Sequence, residues 1–287
     1  VGLFWKLTFG GTAEHTQETM RVDDGSRPLG LSGPPGGPAV LVALLLASRV
    51  TIAQESAAPL ELIGDRPDFT ESAVTVAPLH LQGELGVAYS TLGDERVLTA
   101  PDLLLRYGLV NPLEVRLGVP SAEASFTGSE TTVEPGGLEM GLKATRAVGQ
   151  SGAVGLLPYA VLPVKKRHWS DTGLELGLKG VWSVDFNDTV GLGGNVGVAF
   201  QGVAPGSAEY DPEYLASLSL GLSFLEWLGA FAEVYGLMND DADVRLVADG
   251  GLTFLVAPRL QLDVHAGVGL TSIARGFDSG AGAILLL

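Results

Sequence analysis

Ionisable residues of both signs recur on one parity of short alternating segments: Glu84, Arg106, Glu114, Arg116, Glu139, Lys143, Glu175, Lys179, Glu233, Asp263 and His265. On an extended strand, residues two apart share a face. Each of these side chains therefore points away from the Leu and Val residues that alternate with it. Acids and bases facing one another on neighbouring strands have two uses. They can neutralise each other as cross-strand pairs, for which Glu114 with Arg106, and Glu139 with Arg116 or Lys143, are the expected partners. They can also line a polar track for a solute, with Gly191, Gly193, Gly197, Gly267 and Gly269 leaving room for it.

Signatures of bond-making chemistry are thin, and no residue is assigned a catalytic role. No H-E-x-x-H, G-x-S-x-G or Walker sequence occurs. Gly191, Gly193 and Gly197 spell G-x-G-x-x-x-G, one residue off the dinucleotide fingerprint, in a segment that continues as a strand rather than opening a helix. His80 belongs near one rim and His265 deeper, so they are not expected to share a metal. No metal and no cofactor are expected. With no cysteine in the chain, disulfides and thiolate metal sites are excluded.

The elements that must position these residues show best in residues 260–270, LQLDVHAGVGL. Leu260, Leu262, Val264, Ala266, Val268 and Leu270 take one face, while Gln261, Asp263, His265, Gly267 and Gly269 take the other. About ten residues suffice to cross a bilayer as a tilted strand. Hydrophobic residues make up 46% of the chain and mean hydropathy is +0.30, yet no run reaches the roughly 20 apolar residues of a spanning helix. Forty glycines are spread through the alternation rather than gathered in a linker. A net charge of -16 makes nucleic acid an unsuitable partner.

Period-two segments recur at residues 79–90, 98–109, 113–120, 138–146, 154–164, 174–184, 190–201, 214–224, 228–237, 246–256, 260–270 and 276–287. The even total of about twelve suits a bacterial barrel. The links at 111–112, 148–153, 185–188, 225–227 and 257–259 are short. Those alternating with them, 91–97, 121–137, 165–173, 202–213, 238–245 and 272–275, are mostly longer. Short turns on one side and long loops on the other predict an antiparallel up-and-down transmembrane β-barrel with both ends in the periplasm. Tyr107, Trp182, Phe224, Trp227 and Phe254 beside the short turns, with Tyr89, Phe200 and Tyr214 near the long loops, would form the two interfacial girdles.

Three regions follow: an N-terminal extension and signal peptide over residues 1–53, a polar segment over 54–78, and the barrel over 79–287. The apolar run AVLVALLLAS at 39–48 has the length of a signal-peptide core, with cleavage expected near Ala53 and Gln54. Arg66, Asp68 and Glu71 make the polar segment a candidate plug for the periplasmic mouth, with Arg66 pairing to an inward carboxylate such as Asp263 or Glu84. Lys165, Lys166, Arg167, His168 and Trp169 form a basic loop expected to face outside, where anionic lipopolysaccharide could attract it.

The stretch GDRPDFTESAVTVAPLHLQGELG resembles the start of an outer-membrane β-barrel family named for a role in the meta-cleavage pathway of phenol degradation, whose members are often labelled transporters. Asp65, Arg66, Pro67, Asp68, Thr70, Glu71, Ser72 and Glu84 carry the likeness, and residues 260–271 resemble the family's penultimate strand. The resemblance implies a bacterial outer-membrane barrel for passive uptake of small, aromatic or hydrophobic compounds, needing no cofactor. Its partners would be outer-membrane lipids, lipopolysaccharide and a small-molecule solute, in an oligomeric state the sequence leaves open. A structural barrel with a sealed lumen, and a barrel enzyme acting on envelope lipids, are the alternatives.

Overall fold

The computed structural model describes residues 62–164, 173–202, 209–239 and 244–287. The expected leader, its cleavage site and the basic loop at 165–169 lie outside the described residues. The strands are β1 (Leu81–Leu92), β2 (Glu95–Val110), β3 (Leu113–Val119), β4 (Ala122–Thr127), β5 (Glu130–Pro135), β6 (Leu138–Val148) and β7 (Gly152–Leu162). They continue as β8 (Glu175–Asp185), β9 (Val190–Gly202), β10 (Tyr210–Leu225), β11 (Leu228–Asn239), β12 (Val244–Ala257), β13 (Leu260–Gly269) and β14 (Phe277–Leu286). Neighbours pair antiparallel, and β1 pairs with both β2 and β14, so the sheet closes on itself. Closure leaves no open edge in the wall.

Twelve strands form that wall. The other two, β4 and β5, are a hairpin paired through β4 to the upper half of β2, from Glu95 opposite Thr127 to Ala100 opposite Ala122. Sequence reading treats this stretch as a plain long loop, because the hairpin is too short to span and β5 is exposed throughout, with no apolar face to reveal it. The 91–97 link, expected to be long, is instead a tight turn: Leu92 pairs with Glu95, and Gly93 takes a φ of 60°.

Polarity is inverted relative to a water-soluble sheet sandwich. Leu262 and Val264 are 42% and 44% exposed, whereas Asp263 between them is 2% exposed. Likewise Arg106, Lys143 and Glu84 are fully buried while Leu85, Val115 and Leu142 face outward. Only a surrounding hydrocarbon phase makes that arrangement favourable, at about 25 cal/mol per Å² of apolar surface withheld from water. Tyr107, Phe224 and Trp227 toward the short turns, and Phe200 and Tyr214 toward the long loops, stand exposed at the two ends of this belt.

The inner face is not uniformly polar. Leu157, Val181, Leu215, Phe231 and Ile284 are buried inward, so simple class alternation fails at these positions. At Ile284 the reason is direct, because its side chain lies against Gly64 of the segment that enters the lumen.

Candidate functional site

Residues 62–78 run inside the lower lumen as a loop and return to the wall at β1. The neck of the loop is tied by Asp65, whose Oδ1 accepts hydrogen bonds from the Ser72 amide at 3.0 Å and the Ser72 hydroxyl at 2.7 Å. Where the segment rejoins the wall, Leu79 holds a left-handed φ of 64°, costly for a bulky residue, and its amide donates to the Gly108 carbonyl at 2.7 Å. Gly108 is required there, since a Cβ would overlap the carbonyl oxygens of Val76 and Ala77.

One side of the lumen supplies cations. Register sets Arg106 of β2 opposite Arg116 of β3, and Glu114 of β3 opposite Lys143 of β6. Two arginines side by side would repel, and Asp65 is the counter-charge. Its carboxylate is 3.3 Å from Arg106 Nη1 and 2.9 Å from Lys143 Nζ, and it also pairs with Arg116 Nη1. Arg106 in addition holds Glu84 at 2.9 Å and Glu114 at 2.9 Å, and donates to the backbone carbonyls of Ile63 and Val74. Glu71 closes the network, with Arg116 Nη2 at 2.6 Å and Lys179 Nζ at 3.0 Å. Two wall carboxylates grip the segment's backbone: Glu84 accepts from the Asp65 amide at 3.0 Å, and Glu114 from the Val76 amide at 2.7 Å.

The opposite side supplies polar acceptors and donors. Glu233 of β11 accepts from the Phe69 amide at 2.6 Å and from the Thr70 hydroxyl, which also meets Ser217 at 2.7 Å. Asn195 of β9 exchanges hydrogen bonds with the Glu71 backbone at 2.7 and 3.1 Å. At the tip, the Phe69 ring stacks on Tyr235 with centroids 4.3 Å apart and planes 11° from parallel.

These surroundings set the charge states of the segment. Burial works against ionisation of Asp65, but Arg106, Lys143 and Arg116 outweigh it and hold the carboxyl well below its usual range. Burial acts the same way on Glu71, where Arg116 and Lys179 prevail and bring it to about 2. Asp68 has no such partners. Burial and the neighbouring Glu233 push it well above the usual carboxylate range.

Every ionisable lumen candidate from the sequence is on the inner face. Glu84, Arg106, Glu114, Arg116, Lys143, Lys179 and Glu233 meet the segment directly, and Glu175 hydrogen-bonds Tyr159 above it. Arg66 donates to Asp102 at 2.7 Å and lies 3.5 Å from Asp263; the pairing weighed for Glu84 does not form, because Glu84 is taken by Arg106 and the Asp65 amide. Glu139 does not receive Arg116 or Lys143, since both turn to Asp65, and it lines a cavity of about 490 Å³ on the long-loop side of the segment instead. His265 borders the same cavity. Candidates drawn from the sequence omitted Asp65, Asp102, Asn195, Asp249 and Asp278. Asp249 shares parity with Gly251 and Thr253, and Asp278 with Gly280 and Gly282, so small inward neighbours were the available signal.

A family model described as "Putative MetA-pathway of phenol degradation" matches residues 64–287. No protein of curated function matches the chain. Among solved structures, an outer membrane channel from Pseudomonas putida F1 is similar over 75% of this chain and 98% of its own, at 13% identity and a TM-score of 0.56. The NanC porin is similar over 71% and 98%, at 8% identity and a TM-score of 0.51. The translocator domain of the autotransporter NalP from Neisseria meningitidis is similar over 72% and 88%, at 13% identity and a TM-score of 0.50. At these identities the likeness is one of fold, that of bacterial outer-membrane barrels.

Proposed function

The chain belongs to the family described as "Putative MetA-pathway of phenol degradation", and from that membership and the barrel's geometry we propose a passive outer-membrane channel for small solutes, gated by residues 62–78. Compact aromatic or hydrophobic compounds are the solutes the family description favours. The observation that carries the reading is how the segment is held. Its grip on the wall is mostly ionic and polar, beneath a cavity of about 490 Å³ large enough for a small molecule.

A buried ion pair contributes little net stability, because desolvation offsets most of its attraction, whereas removing one partner costs roughly 3–5 kcal/mol. A segment held this way is fixed in register and yet close to balance between docked and released states. Apolar packing at the root, by Leu62, Ala73 and Val76, is small by comparison. Movement down a gradient needs no cofactor and no reacting group. Outward Leu and Val side chains would meet outer-membrane lipid, and the rim lipopolysaccharide.

A sealed structural barrel is the competing reading, favoured by the complete burial of Asp65, Lys143 and Arg106. Swelling of liposomes containing the purified protein separates the two. Entry of phenol and other compact aromatics at rates above protein-free vesicles is expected. Impermeability to a panel of phenols, sugars and amino acids would leave the sealed barrel. Hydrolysis or transfer on lipopolysaccharide or phospholipid by the purified protein would favour an enzyme instead.

A further inference from the structure

The lumen carries an arrangement of carboxyl groups that the gate engages only at one end, through Glu233. Register places Ser219 opposite Glu233, Glu233 opposite Asp249, Asp249 opposite Gly267 and Gly267 opposite Asp278. Strands β11, β12 and β14 thus present three carboxyl groups in one row, with a glycine between the last two. A Cβ at Gly267 would overlap the Asp278 carboxylate and come within 2.7 Å of Asp249 Cβ, so the missing side chain lets Asp278 lean across β13 toward Asp249. Asp68 joins the row from the segment. Its Oδ2 accepts from Ser219 at 2.9 Å, while its Oδ1 has no hydrogen-bond partner although the residue is only 4% exposed. Asp68, Asp249, Asp278 and Tyr235 all border the cavity.

Positive charge is committed elsewhere. Arg66 is held by Asp102 and Asp263, and Arg116 by Asp65 and Glu71. His265 Nε2 stands 3.8 Å from Asp278 Oδ2, beyond hydrogen-bond reach. Among the described residues, no Lys or Arg forms an ion pair with Asp68, Asp249 or Asp278. Half-buried carboxyl groups crowded without a counter-ion must hold protons or take up a cation.

We infer that this row binds a small organic ammonium ion, its charged head between the carboxyl groups of Asp249 and Asp278 and its body against the Tyr235 ring. The carboxyl groups are spread along a wall rather than converging, and no acidic or histidine cluster among the described residues is placed to hold a metal ion. An ammonium group, with several donors and a flank that tolerates an aromatic face, fits such a row. Lys179 Nζ already lies 5.9 Å from the Phe69 centroid, and the Tyr235 ring, which borders the cavity, adds cation–π attraction. Anions such as benzoate or phenolate meet the same row as a repulsive barrier. The inference rests on the reading of the lumen as a solute path, and it names the charge class that path retains.

The test is calorimetric titration of the full chain in detergent with benzylammonium, benzyl alcohol and benzoate at low ionic strength. Benzylammonium is expected to bind at least tenfold more tightly than either size-matched probe, and the double variant D249N/D278N to lose that advantage. Equal binding of all three probes, no binding of benzylammonium, or displacement of it by equimolar calcium would overturn the inference. The comparison among probes uses the unaltered protein, so it stands even if the double variant misfolds. Liposome swelling run alongside separates the two readings. Entry of benzyl alcohol without benzylammonium binding defeats the cation site alone, and benzylammonium binding without entry of any solute defeats the channel alone while leaving the site.

Discussion

Lys143 sets its Nζ 2.9 Å from Asp65 Oδ2, and neither side chain meets solvent. One partner belongs to the wall and the other to the segment crossing the lumen, so this pair is a junction between the barrel and its gate. Three cations, Arg106, Arg116 and Lys143, depend on the single Asp65 carboxylate for part of their neutralisation.

Replacing Asp65 with Ala leaves those cations crowded and unpaired, at a cost of roughly 3–5 kcal/mol if the segment stays docked. Release relieves that cost. Asp65→Ala is therefore expected to raise channel open probability and to expose residues 62–78 to added protease, with the barrel itself still heat-modifiable on gels. Protection equal to that of the unaltered protein would contradict the junction.

Acid should loosen the gate. Docking lowers the carboxyl affinity for protons at Asp65 and Glu71, so their contribution to docking is complete above the free-carboxyl range and is lost as pH falls through the docked values, from 4.5 toward about 2 for Glu71. Asp68 has the opposite sign, because its docked value is raised and its contribution fades as pH rises through that value. Conductance is expected to increase on acidification from roughly pH 4 toward pH 2, where Asp68 holds its proton in both states and only Asp65 and Glu71 respond. Glu71→Gln should weaken docking at neutral pH and flatten that response, while Asp68→Asn should strengthen docking at pH 7 and above.

Gly108 is the point where bulk alone should act. A Cβ there collides with the Val76 and Ala77 carbonyl oxygens, which belong to backbone and cannot swing aside. Gly108→Ala is expected to displace the root of the segment while β2 keeps its pairing, read as faster amide hydrogen exchange at residues 74–80 against unchanged exchange in β9 to β13. Unchanged exchange at the root would show that the contact is not limiting.

The lipid face gives a depth-dependent control. Val264 lies outward at the middle of β13, so Val264→Arg should cost about 2–4 kcal/mol in denaturant titrations from a bilayer or bicelle. An effect near zero would place that face in water.

The wall was legible in sequence because each strand must alternate between hydrocarbon and lumen, and residues 260–270 do so without a break. Arg106, Glu114 and Asp263 followed from parity alone. The gate was only half legible. Arg66, Asp68 and Glu71 stood out as charges beside a proline, but Asp65 becomes central only when β2, β3 and β6 bring their cations to one point, a long-range coincidence with no local spacing. Ile284 and Leu286 depart from simple alternation for a related reason: they face inward, and Ile284 meets Gly64 of the segment rather than water. The β4–β5 hairpin gave no signal, since a solvated hairpin needs no apolar stripe.

Single-channel conductance in planar bilayers, compared between the full chain and a deletion of residues 62–76, tests the gate most directly. The deletion should convert a small or flickering conductance into a larger, steady one, with the remaining cations Arg106, Arg116 and Lys143 newly facing water. Identical conductance in the two proteins would contradict it.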